Sequence, residues 1–114
     1  MNTQEILKMK PFDIATFLID NFTFEVPEET NGEIGKLMSD ISNAYSFVQS
    51  LLMYAQIDVR TKRRTSIKTD IEDAIDKRDA ISTFCDTLKL QYNTVSRLIT
   101  VKQQLLDEAK YLGG

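Results

Sequence analysis

The chain has 114 residues, 42% apolar and 27% charged, and a net charge of −3. That length makes one domain with a core of moderate size, and the balance of apolar and charged residues excludes a disordered chain. With no His and only Cys85, the sequence lacks the commonest general base, the ligands of a zinc centre and any intramolecular disulfide.

The first residues, Met1 to Lys8, hold no basic stretch followed by a long apolar run, so no secretory signal is expected. A single Cys fits a reducing compartment, and the protein is placed in the cytoplasm. Asn2 and Glu5 have the spacing of a capping box for a short first helix. Pro11 suits the first turn of a second helix, with Ile14, Phe17 and Leu18 as its apolar face. Phe22, Phe24 and Val26 then alternate with Thr23 and Glu25. With no second strand to pair with, these residues are read as an extended crossing that pins aromatics into a helical core. Pro27 to Gly32 is the one clear loop before the long Gly- and Pro-free stretch.

From Lys36 to Leu112 there is neither Gly nor Pro. A first seam, Ile34, Met38, Ile41, Tyr45, Val48, Leu52, Ala55 and Val59, follows an unbroken 4-3 spacing, the period of helices packed side by side. Leu37, Ala44, Phe47, Leu51 and Tyr54 widen it, which implies more than one neighbour. A second seam runs through Ile67, Ile71, Ala74, Ile81, Cys85, Leu88, Tyr92, Val95, Ile99, Leu106 and Ala109, interrupted by Arg78 and Lys102; Phe84, Leu98 and Leu105 widen it. One helix spanning both would be about 115 Å long at 1.5 Å per residue and would bury little. The cations Arg60, Lys62, Arg63 and Arg64 suit a helix C-terminus, and Asp70, Glu72 and Asp73 suit an N-terminus. Thr69 and Glu72 have capping-box spacing between them. A turn is therefore expected around residues 62–69.

The fold class is thus all-α: a single helical domain over residues 1–114, with N-terminal helices and a crossing in 1–30 and a long antiparallel helical hairpin in 31–112, starting near Thr30 or Asn31. The second hairpin helix overhangs the first at its C-terminal end. The N-terminal helices are expected to pack on that open end and cover Val95, Leu98, Leu105 and Leu106; the alternative is that the end stays open and forms a homodimer. Ile41 to Ile57 carries no charge, but Ser42, Asn43, Ser46, Gln49, Ser50 and Gln56 interrupt it. A bilayer span needs about 20 mainly apolar residues, so no membrane association is expected.

Four features could carry chemistry or recognition. Cys85 lies on an apolar seam and reads as a buried, inert thiol. Glu72, Asp73, Asp76 and Asp79 resemble the carboxylates of magnesium-dependent all-α nucleotide hydrolases, but the facing helix offers only Asp58 nearby. A solvated first turn explains them more simply, and neither catalysis, a metal nor another cofactor is expected. Arg60, Lys62, Arg63, Arg64 and Lys68 form a cluster of bases with no acid between them, the candidate contact to nucleic-acid phosphates. The plainer reading is dipole matching plus pairing with the acids that follow. The halves of the chain differ in sign, with nine acids and three bases before Arg60 and eleven bases and eight acids from Arg60 on, too mild an asymmetry to name a partner. The fourth feature is the neutral polar face of residues 82–104, from Ser82, Thr83 and Thr87 to Gln103 and Gln104, with Leu90 and Val101 beside it. Interface centres are depleted in charge, so Gln91, Thr94 and Arg97 are the candidate contacts to a protein partner. Gly113 and Gly114 read as an ordinary helix stop.

The run Asp70-Ile-Glu-Asp-Ala-Ile-Asp-Lys-Arg-Asp-Ala-Ile81, followed by Gln91-Tyr-Asn-Thr-Val-Ser-Arg-Leu-Ile-Thr-Val-Lys-Gln-Gln104, resembles small helical early proteins encoded by phages and prophages of Gram-positive bacteria. The resemblance covers about the last 50 residues and transfers no functional residues. It implies a regulator or inhibitor that binds a host or defence protein, as anti-CRISPR proteins do.

Overall fold

The computed structural model describes residues 2–27 and 32–113, with no account of the side chains of 111–113. Four helices follow in order: α1 (Thr3–Leu7), α2 (Pro11–Phe22), α3 (Ile34–Thr65) and α4 (Lys68–Gly113). There is no strand among the described residues. α3 and α4 pack along one another as the antiparallel hairpin, and α1 and α2 lie against it. The all-α hairpin with short N-terminal helices packed on it is the architecture the sequence implies.

The turn between the long helices is two residues, Ser66 and Ile67, inside the expected 62–69 window. The Ser66 amide donates to Lys62 O at 2.8 Å, closing α3. Lys62, Arg63 and Arg64 lie in the last turn, where cations favour the helix dipole. Ile67, expected as a seam residue, is 69% exposed because the chain reverses there. α4 begins at Lys68, so Thr69 lies inside its first turn and not at the cap that the Thr69–Glu72 spacing suggested. The expected start of α3 at Thr30 or Asn31 lies outside the described residues; Glu33 stands at the cap, and Leu37 N donates to its carbonyl at 3.0 Å.

α1 is capped as its sequence predicts: the Asn2 side chain accepts from the Glu5 amide at 2.9 Å. Pro11 opens α2 after Lys10 in extended conformation. Phe22 closes α2 and does not belong to the crossing, which runs from Thr23 to Pro27. The aromatics do reach the core. Phe22 meets Phe17 edge-on at 6.3 Å between ring centroids and Phe47 at 5.5 Å.

The core joins Ile6, Ile14 and Leu18 of the short helices to Ala44, Val48, Leu51 and Ala55 of α3 and to Ile81, Phe84, Cys85 and Leu88 of α4. On α3 the centre of the stripe is shifted from the expected seam. Ala44 and Leu51 are buried while Tyr45 and Leu52 are only partly so. The short helices draw the buried face round to their side.

Two long-range polar contacts locate the N-terminal segment. Lys77 Nζ donates to Leu7 O at 3.0 Å, and Gln91 Nε2 donates to Phe24 O at 3.2 Å. The segment therefore tracks α4 from Lys77 to Gln91 and runs in the same direction. It stops there, so Val95 is buried and Leu98 half-buried, but Leu105 and Leu106 stay 60% and 49% exposed. Their expected cover is not provided, because α2 spends its length beside the middle of α4. α4 has 46 residues and α3 has 32, so the longer helix runs on for about 21 Å at 1.5 Å per residue. The molecule measures 71 × 22 × 17 Å, and α4 sets its long axis.

Burial this uneven makes a simple prediction. Ile81→Ala, at a fully buried position, should cost about 2–5 kcal/mol in urea unfolding. Leu105→Ala in the overhang should stay within about 0.5 kcal/mol of the wild type.

Candidate interaction surface

One face of α4 runs past the short helices into solvent. Thr83, Thr87 and Gln91 stand at helical spacing and, with Ile19 and Phe22 of α2, line a cleft of about 510 Å³. The same face continues through Thr94, Leu98, Val101 and Leu105, where no helix covers it. Leu90, Val101 and Leu105 are 67%, 51% and 60% exposed. Every described side chain from Val101 to Lys110 is exposed.

The face is less polar than its letters suggest. The hydroxyls of Thr87 and Thr94 donate to the carbonyls of Thr83 and Leu90, at 3.2 and 2.9 Å. A threonine bonded back to its own helix has its donor satisfied locally. Covering such a residue leaves no orphaned hydroxyl proton, so desolvation is cheap compared with covering a charge.

The three candidate contacts fall into different settings. Gln91 is half-buried and its amide nitrogen is engaged with Phe24, so it fixes the crossing to α4; its Oε1 is buried without a partner, at the lip of the cleft. Thr94 is exposed on the continuing face. Arg97 is exposed one turn further, beside the overhang. The structure thus places Thr94 and Arg97 together on open surface and Gln91 at its boundary. Val101, Leu105 and Leu106 belong to the same surface. Sequence reasoning named the two leucines as residues to be covered, although the missing length of α3 already hinted otherwise.

The basic residues lie at the opposite end. Arg60, Arg63, Arg64 and Lys68 are exposed and Lys62 is partly so. Lys68 pairs loosely with Glu72 at 3.8 Å, both well exposed, a contact of little energy. The acids after the turn otherwise pair within α4: Asp73 with Lys77 at 3.1 Å and Asp79 with Arg78 at 3.0 Å. Among the described residues, Arg60, Lys62, Arg63 and Arg64 make no ion pair with them. The acidic cluster serves mainly its own helix, with Glu72 and Asp76 exposed to solvent.

Cys85 is buried. Burial pushes its thiol up to about 11, and the neighbouring Asp86 carboxylate adds to the shift. No helix among the described residues is long and apolar enough to cross a membrane. Comparison with protein-family models, curated proteins and solved structures finds no match to this chain.

The thiol gives a signed prediction. Its pKa is raised by folding, so its contribution to stability is intact below about 9, the ordinary thiol value, and is lost as pH rises through about 11. The urea midpoint of the wild type should therefore fall over that range relative to Cys85→Ala. At pH 8 an alkylating reagent should modify the thiol only after denaturation.

Proposed function

We propose that this protein is a non-enzymatic interaction module that acts in the cytoplasm and seats a protein partner on the uncovered face of α4. The observation that carries this reading is the overhang itself, a helix running about 21 Å past its partner with Val101, Leu105 and Leu106 exposed along it. An isolated helix of about this length is marginal in water. A partner that buries those side chains supplies what the hairpin does not. Thr94 and Arg97 flank the apolar residues, and Arg is among the residue types that contribute most at interface centres.

The resemblance to phage-encoded early proteins supports a host or defence protein as the partner class, which the module would regulate or inhibit. A second copy of the chain is the other occupant of the same face. The test is capture from host lysate by the tagged protein, repeated with Arg97→Glu and with Leu105→Asp. Each variant should lose at least tenfold of the capture with helicity and melting unchanged, because neither side chain is packed in the core. Undiminished capture by both variants removes this surface from consideration. Sedimentation of the purified protein separates self-association from a foreign partner.

A second reading follows from the cluster of cations at the hairpin turn. Arg60, Lys62, Arg63, Arg64 and Lys68 could contact a nucleic-acid backbone, with binding that weakens steeply as salt rises. Arg63→Glu combined with Arg64→Glu should then abolish retention of an oligonucleotide at low salt, and failure of the wild type to bind there ends this reading.

A further inference from the structure

Arg78 breaks the apolar seam of α4, four residues after the buried Ala74 and three before the buried Ile81. A cation at such a position is costly unless its head escapes the seam. Here the side chain is 30% exposed, and Arg78 lines a cleft of about 320 Å³ between the end of α3 and the start of α4. Arg60 and Arg63 line the same cleft from α3. They stand three residues apart and so share one face of that helix.

Three arginines thus line one small space, and Asp79 is the single carboxylate among its lining residues. Asp79 Oδ1 accepts from both Nε and Nη2 of Arg78 at 3.0 Å. The side chains of Arg60 and Arg63 make no ion pair or hydrogen bond among the described residues. The cleft therefore carries a surplus of two positive charges, and like charges held this way repel one another. Its walls also hold the neutral donors Gln56 and Ser82 over an apolar floor that includes Val59.

We infer that this cleft binds a phosphate monoester, gripped between Arg60 and Arg63 of α3 and Arg78 of α4. A monoester dianion matches the surplus charge and offers three oxygens to arginine forks, which bind phosphate in paired hydrogen bonds. Ser82 and Gln56 can donate to oxygens the arginines leave free. A nucleic-acid phosphodiester carries one charge per phosphate and matches the cleft less well. The site is independent of the α4 surface assigned to a protein partner, and it separates from the nucleic-acid reading through Arg64, which does not line the cleft.

The probe is glycerol 2-phosphate, titrated into the full chain at low ionic strength and followed by calorimetry and amide chemical shifts. Saturable one-site binding is expected, with shifts centred on residues 56–63 and 78–82. Arg63→Gln and Arg78→Met should each weaken it at least tenfold, whereas Arg64→Gln should bind as the wild type does. Dimethyl phosphate, a singly charged diester, should bind at least tenfold more weakly than the monoester. The Met variant keeps an apolar stem on the seam, so its melting temperature should hold. If it does not, Arg60→Gln with Arg63→Gln, both at exposed positions, decides alone. Absence of saturable binding, equal loss in Arg64→Gln, or equal affinity for the diester overturns the assignment and leaves only a diffuse positive field.

Discussion

Two antiparallel helices that share an apolar seam can bury it only as far as the shorter one reaches. In this chain that constraint governs the rest. α3 and α4 begin level at a two-residue turn, and the inequality in their lengths accumulates at the far end. Through the middle, the seam is closed by α3 on one side and by α2 on another, and Ile81 and Leu88 are fully buried. Past Leu98 the same periodic pattern continues with every described side chain exposed. An apolar stripe without a neighbour is a cost in a monomer and an asset in a complex, which is why the interaction reading grows from the fold and not from any cluster of reactive groups.

The N-terminal segment deepens this division. Its docking is specified by shape and by two polar contacts, Lys77 to Leu7 and Gln91 to Phe24, and both hold it over the middle of α4. Because α2 has only 12 residues, it reaches about 18 Å along α4. The segment widens the core without lengthening it. Its direction also delivers the chain close to where α3 must start, so the crossing from Thr23 can stay short and extended.

The hairpin and its turn were readable from the absence of Gly and Pro after Lys36, from the paired seams and from the switch of charge between Arg64 and Asp70. The placement of the short helices was not. Ile14, Phe17 and Leu18 announced an amphipathic helix, but several stretches of the hairpin offered an equally good apolar partner. The choice rests on pairings such as Gln91 with a main-chain carbonyl, which leave no trace in residue type. The same limit explains Ala44 and Leu51. Periodicity locates an apolar face, while the residue at its centre depends on where the third helix sits. The candidate partner residues were legible as a neutral face, and their division into a pinned Gln91 and open Thr94 and Arg97 required coordinates. Arg78 was visible as a break in the seam, but the convergence of Arg60 and Arg63 on it needed the antiparallel register.

The contacts from Lys77 to Leu7 and from Gln91 to Phe24 join residues 70 and 67 positions apart. A ribosome makes the N-terminal segment before the helix that receives it. Ile6, Ile14 and Leu18, all fully buried in the finished protein, have no complete docking site until the middle of α4 has emerged. The hairpin itself closes through near neighbours around its tight turn, the kind of contact that forms early. The short helices must wait in an unfinished state with their apolar faces open, and exposed faces of that kind are where nascent chains aggregate. Their brevity limits the hazard, since a helix of five residues and one of 12 have little persistent structure before docking.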